Sequence, residues 1–295
     1  MTTELRPLLP FDYVVPGTVT EAIGLLTEHG TSAKLLAGGT DLLPRMKRGR
    51  NNPRVVIDLN RIVDLSIITV RDNALHIGAG TPLAMLYDSN VIGDKAAALA
   101  DAIRVMSSPG VRNQATIGGN LCNAARCADT PAPLLVLDAS VKLRGPNGER
   151  NVPIRSFFTT REISGTKTVL RSDEVMTEVI IPLQDGNSTF LKLGRRRGSS
   201  NSIISAAAFV TIVNGKFKNV RIALSAFGSI PIRSEKVETA LMGAPVNKKV
   251  IEQAAAMIRD EIKPITDIRA SAAYRTDMAA VLIERVVTQL AIGES

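Results

Sequence analysis

The chain predicts an α+β protein built from three consecutive parts, and three observations support this. Residues 1–60 alternate short apolar strands with a capped helix. Residues 61–183 carry short β-rich runs joined by tight turns. Residues 184–295 place strands first and helices after them. At 295 residues the chain has room for more than one core.

In the first part, Phe11-Asp12-Tyr13-Val14-Val15 is an apolar run that ends at Pro16-Gly17. Thr18 and Glu21 form a capping box, in which a hydroxyl and a carboxylate satisfy the free backbone donors at a helix start. Ala22, Ile23, Leu25 and Leu26 supply the buried stripe, and Gly30 the stop. Residues 34–37 and 55–59 are short strands; a helix lying between such strands predicts parallel pairing. The basic segment 46–53 that links them is expected to be a solvated loop.

In the second part, residues 67–70, 74–78 and 140–143 read as strands. Gly145-Pro146-Asn147-Gly148 is a hairpin turn, because proline presets one dihedral and Asn-Gly tolerates positive φ. Thr81 caps a short helix that reaches Tyr87. The alanine-rich run 94–106 is helical and stops at Ser107-Ser108-Pro109-Gly110. Residues 131–137 read as helix and 174–182 as a strand ended by Pro182. In the third part, a polar linker at 184–188 precedes strands at 189–193, 206–213 and 220–227. Asn214-Gly215 is the hairpin turn between the last two. Helices follow at 234–242, 248–262 and 275–290.

Composition narrows the function. Tryptophan is absent and aromatic residues make up 3%, which argues against a base-stacking surface for nucleic acid. The net charge of +8 is spread along the chain, with local clusters only at Arg195-Arg196-Arg197 and Met46-Lys47-Arg48-Gly49-Arg50. Such charge suits an acidic partner or an anionic cofactor better than a nucleic acid. No window approaches the ~18 apolar residues of a membrane span. The N-terminal MTTELRPLLPFDYVVP lacks an apolar core flanked by basic residues, so no signal peptide is expected and the expected location is the cytoplasm.

Two glycine pairs carry the chemistry. One lies in LLAGGTDLL, the other in ATIGGNLCNAARCAD. A phosphate needs several backbone N–H groups aimed at one point, and glycine allows both the close approach and the unusual dihedrals. The hydroxyls of Thr40 and Thr116 can add donors. Asp41 and Asp129 would repel phosphate and suit sugar hydroxyls or backbone N–H groups. A tight turn uses the same glycines, so either pair alone is weak. Neither fits the GxGxxG dinucleotide fingerprint. The expectation is that both segments, as turns, close their amides on one phosphate-bearing cofactor. Lys192, beside the three arginines, could place a fixed cation at a cofactor edge. Cys122 and Cys127 lack a third cysteine partner and are expected to be structural or free thiols; no metal site is expected. No side chain is singled out as a catalytic acid, base or nucleophile.

With these residues in view, the chain resembles the FAD-binding (medium) subunits of the xanthine dehydrogenase and carbon monoxide dehydrogenase family of molybdenum hydroxylases. The resemblance spans nearly the whole chain. It rests on LLAGGTDLLPRMKRG, HIGAGTPL, QATIGGNLCNAARCADTPAPLLVLDA, FLKLGRRRG and SAAYR, in this order. It implies a two-lobed FAD-binding fold of the vanillyl-alcohol-oxidase (PCMH) type. A small α/β lobe (1–60) would hold FAD against a larger antiparallel β lobe (61–183). A C-terminal α+β domain (184–295) of three strands and a helical bundle would follow.

The same resemblance implies that Leu36, Ala37, Gly38, Gly39, Thr40 and Asp41 wrap the pyrophosphate. Thr116, Ile117, Gly118, Gly119 and Asn120 would complete the contact. Asp129 would bond a ribityl or ribose hydroxyl, and Lys192 would approach the isoalloxazine. It further implies a [2Fe–2S] small subunit and a molybdopterin-binding large subunit, assembled as a dimer of heterotrimers, with an external acceptor such as NAD or a quinone. Two departures stand out. Asn120-Leu121-Cys122 and Cys127 match the cluster-bearing flavin subunit of 4-hydroxybenzoyl-CoA reductase. The cysteine-rich insertion of that subunit is missing here, so no extra [4Fe–4S] cluster is expected. Gly198-Ser199-Ser200-Asn201 also replaces an acid that many relatives carry after the arginines. A stand-alone flavin-dependent oxidoreductase and a non-enzymatic partner-binding module are the alternative readings.

Overall fold

Thr18 begins the first helix (Val19–His29) as anticipated: its hydroxyl accepts from Glu21 N at 3.1 Å, while the Glu21 carboxylate accepts from Gly17 N at 2.8 Å. Such a cap stabilises a helix by about 1 kcal/mol. The computed structural model describes residues 7–163, 166–196 and 199–293. They divide into two compact units. The first comprises Met1–Met85, Pro109–Asn123 and Ser140–Ile180, and the second Leu86–Ser108, Ala124–Ala139 and Ile181–Ser295.

The first unit holds a three-stranded parallel sheet of β1 (Asp12–Val14), β2 (Ala33–Leu36) and β3 (Val55–Asp58), in the order β1-β3-β2. Val19, Ala22, Ile23 and Leu26 of the first helix pack against Val55 and Ile57 of this sheet. A five-stranded sheet follows, from β4 (Ile68–Arg71), β5 (Ala74–Gly78), β6 (Ser140–Gly145), β7 (Gly148–Pro153) and β10 (Val175–Pro182). Its order is β4-β5-β10-β6-β7. The expected hairpin turn joins β6 to β7, with Gly145 opposite Gly148. Two short strands, β8 (Phe158–Ile163) and β9 (Thr166–Thr168), pair by themselves.

The second unit is built on a four-stranded antiparallel sheet of β11 (Asn187–Gly194), β12 (Ser202–Val213), β13 (Lys216–Ser225) and the two-residue β14 (Ile232–Arg233). The three expected strands are present, and β14 adds a fourth. Ala206, Ala208, Ile222 and Leu224 pack against Val237, Ile251, Ile283 and Val287 of the C-terminal helices. Arg275, from the SAAYR segment, is fully buried at the start of the helix Ala272–Ala291. It donates to the carbonyls of Ile203 and Ala226 and, at 2.6 Å, to Asp267. This pins the ends of β12 and β13 to the helix.

Three sequence expectations need correction. Met46 is a buried residue of the helix Leu42–Lys47 rather than the start of a loop, because its side chain completes that short helix's apolar side. The helix expected over 94–106 breaks at Ala96 (φ −142°, ψ 50°) into Asn90–Lys95 and Ala97–Val105. The second glycine pair is no turn: it lies in the first residues of a helix, Ile117–Asn123.

Candidate cofactor site

The cavity that gathers the sequence-predicted residues lies within the first unit and has a volume of about 590 Å3. β2 delivers the chain to its edge. Gly39 then turns with φ +67°, a left-handed conformation that favours glycine, and Asp41 leads into the helix Leu42–Lys47. Ala37, Gly38, Gly39, Thr40 and Asp41 all line the cavity, as do Thr116, Gly118, Gly119 and Asn120. Leu36 ends β2, and Ile117 is wholly buried; neither lines the cavity.

The two glycine segments meet directly. A side chain at Gly38 would place Cβ 1.8 Å from the Gln114 carbonyl oxygen, so the missing side chain makes room for protein backbone, not for a ligand. Gly118 answers the same need: a Cβ there would sit 2.6 Å from both the Ala79 carbonyl oxygen and its Cβ. The amides of the two segments differ. Ile117 N donates to Thr81 O at 3.1 Å, Gly118 N to Ala79 O at 2.8 Å, Gly119 N to Thr116 Oγ1 at 3.0 Å and Asn120 N to Thr116 O at 2.9 Å. These amides already have protein acceptors, so the two segments do not present matched rows of open donors. The physical reason is the ladder between residues 79–83 and 115–118, which engages the donors before any ligand arrives. By contrast, the backbone N–H groups of Gly38, Gly39, Thr40 and Asp41 donate to no protein acceptor among the described residues.

Charge around the cavity suits an anion balanced by sugar contacts. Lys34, Arg45 and Arg171 line it against Asp41 and Glu174. Glu174 is occupied by its own partners: Arg150 donates twice to it, at 2.7 and 2.8 Å, and Arg171 N donates at 2.9 Å. Burial pushes the Glu174 carboxyl up, but the Arg150 guanidinium and the Arg171 N–H outweigh this and hold it below the usual carboxylate range. The Cys122 thiol also lines the cavity and is pushed up to about 12 by burial, so it stays neutral. Lys34, Arg45, Arg171 and the wall formed by Leu170, Ser172, Val175 and Met176 escaped the sequence reading, which held no local signal for them. A row of unengaged amides, a cation surplus and apolar walls fit a phosphate-bearing cofactor with an apolar ring system.

Comparison with known proteins decides which cofactor. Residues 9–184 match the family model described as the FAD binding domain in molybdopterin dehydrogenase. The chain belongs to that family. Residues 189–290 match the CO dehydrogenase flavoprotein C-terminal domain. The xanthine dehydrogenase FAD-binding subunit of Escherichia coli O157:H7 is 31% identical over 276 residues, covering 92% of this chain and 93% of that protein. The carbon monoxide dehydrogenase medium chain of Hydrogenophaga pseudoflava is 33% identical over 279 residues, covering 94% and 96%. A solved structure of the carbon monoxide dehydrogenase from H. pseudoflava superposes with a TM-score of 0.92 at 33% identity, covering 98% of this chain and all of that one. The chain is therefore an FAD-binding oxidoreductase subunit of the molybdenum hydroxylase type, and its cofactor is FAD. Among the described residues, no helix is long and apolar enough to cross a membrane.

Two predicted residues remain. Asp129 and Lys192 belong to the second unit, where Lys192 Nζ donates to Asp129 Oδ2 at 2.7 Å and to Ser200 O at 3.0 Å. Ser202 Oγ donates to Asp129 Oδ1 at 2.5 Å. Burial pushes the Asp129 carboxyl up against the lowering from Lys192 and Ser202. Lys192 is thus a compensated cation, not a bare one. Of its arginine neighbours, Arg195 N donates to Ser200 Oγ at 3.1 Å and Arg196 to Ser199 O at 2.7 Å; Arg197 and Gly198 lie outside the described residues.

Proposed function

We propose that this chain is the electron-transfer subunit of a heteromeric molybdenum hydroxylase. It takes electrons from a [2Fe–2S] small subunit, fed by a molybdopterin-binding large subunit, and hands them to an external acceptor such as NAD or a quinone. The complex is a dimer of heterotrimers. The naming of relatives as subunits and medium chains supports the multi-subunit reading. FAD, when bound, supplies the redox chemistry; the chain supplies position and electrostatics.

The observation that carries the site assignment is the row of unengaged amides at residues 38–41, open to the cavity. In this reading these N–H groups bind the diphosphate, with Arg45 and Lys34 balancing its charge. Thr116 and Asn120 contribute side-chain contacts only. The Asp41 carboxylate orients a sugar hydroxyl. The neutral Cys122 thiol and the apolar wall at Val175 and Met176 exclude water from the bound ring systems. In this reading the chain divides at residues 60 and 183, and the cofactor lies between the first two parts. The test is co-purification with neighbouring gene products. The expected result is a complex with yellow flavin absorbance that dithionite bleaches and NAD or a quinone restores. A colourless complex, or full turnover of a substrate by this chain alone, would overturn the reading.

A further inference from the structure

The unengaged amides of residues 38–41 need something to aim them, and β2 ends just before they begin. The last backbone rung between β2 and β3 is Leu59 N donating to Leu36 O at 2.9 Å. The next carbonyl, that of Ala37, is held by a side chain instead: Asn60 Nδ2 donates to Ala37 O at 3.0 Å. Asn60 is itself braced. Its backbone N–H and its side-chain amide both donate to Asp58 Oδ1, at 2.9 and 2.6 Å, and the Tyr13 hydroxyl donates to Asp58 Oδ2. Asp58 is buried and sits at the end of β3, so the brace is anchored in the sheet.

A trans peptide is planar, with its C=O and N–H pointing in opposite directions. Holding the Ala37 carbonyl toward Asn60 therefore turns the Gly38 N–H the other way, toward the space that Gly38 lines. We propose that Asn60, braced by Asp58 and Tyr13, is a positioning residue that fixes this peptide plane so that the Gly38 amide meets the cofactor's diphosphate. The inference rests on the assignment of residues 38–41 to the diphosphate. Asn60 touches no cofactor; it acts through the orientation of one peptide.

Asn60 is solvent-exposed, so its replacement leaves the core intact. Asn60→Asp keeps the side chain's size and replaces the donor with a carboxylate that repels the Ala37 carbonyl. The full-length chain, freed of flavin, is titrated with FAD by fluorescence quenching, and adenosine, AMP and ADP are used as competitors. The expected result for Asn60→Asp is about a fivefold loss of affinity for FAD and ADP, the worth of one hydrogen bond. Adenosine affinity stays unchanged, and melting temperature falls slightly, because the new carboxylate also faces Asp58 Oδ1. Tyr13→Phe, which loosens Asp58, shows a smaller loss in the same direction. A general structural role would weaken adenosine as much as ADP, and that result overturns the inference, as does unchanged ADP affinity in Asn60→Asp. A wild-type chain that fails to bind ADP more tightly than adenosine overturns the diphosphate assignment itself, and the inference with it.

Discussion

The two glycine pairs look alike in sequence and do different things in space. Each follows an apolar residue and precedes a polar one. Gly38 and Gly118 are both side-chain-free because protein backbone fills the space a Cβ would take. The difference lies in the amides. The stretch after Leu36 leaves the sheet with its N–H groups unengaged. The stretch after Thr116 enters a helix with every amide from Ile117 to Asn120 bonded inside the protein. A glycine pair thus reports that something approaches closely; it does not report whether that is a ligand or the chain itself.

The largest effect that tests this contrast is Gly38→Ala. A Cβ 1.8 Å from a backbone oxygen forces the two segments apart, and the cost is about 3 kcal/mol, at the top of the overpacking range. The flavin-free chain should melt well below wild type. If stability holds and only flavin is lost, the space in front of Gly38 belongs to the cofactor after all. Thr116→Val comes next. It strips the acceptor from Gly119 N while keeping the shape, at a cost of about 1–2 kcal/mol to the flavin-free chain. Unchanged apoprotein melting would mean that the second segment's amides are not committed to the protein.

Glu174 tests the wall that both segments share. Its folded pKa lies below its unfolded value, near 4.3 for a free glutamate, roughly. Its stabilisation is therefore complete above that range and disappears as pH falls through the lower folded value. The difference in melting temperature between wild type and Glu174→Gln should be present at neutral pH and close in acid. A difference that persists at low pH would assign the loss to packing alone. The smallest effect concerns Cys122, on the second segment's helix. A thiol pushed up to about 12 is thiolate to only about one part in ten thousand at pH 8. Mass spectrometry should find it unmodified by iodoacetamide in the native chain and labelled in the unfolded one. Ready native labelling would return this segment to the open turn that the sequence suggested.

Much of the fold was legible because its signals are local. The Thr18 and Glu21 cap, the Gly145 to Gly148 turn and the Asn214-Gly215 turn each encode their geometry within four residues. The site was legible as a set of positions: the predicted residues 37–41, 116 and 118–120 do line one cavity. Their roles were less legible. Lys192 reads as a free cation until Asp129, 63 positions away, is seen to neutralise it. Lys34, Arg45 and Arg171 read as ordinary surface charge until the cavity collects them.

The amino-acid order alone determined most element types, the parallel pairing of the first sheet, the family and its cofactor, because short-range dihedral preferences and ordered motifs survive without a partner in view. Tertiary structure alone decided which amides remain available, since an amide's acceptor is set by whatever segment packs beside it. Ile117 finds Thr81, Gly118 finds Ala79, and Gly38 through Asp41 find none among the described residues. For Ile117 and Gly118 the partner is a property of the assembled neighbourhood, because Thr81 and Ala79 lie more than thirty residues away in the chain.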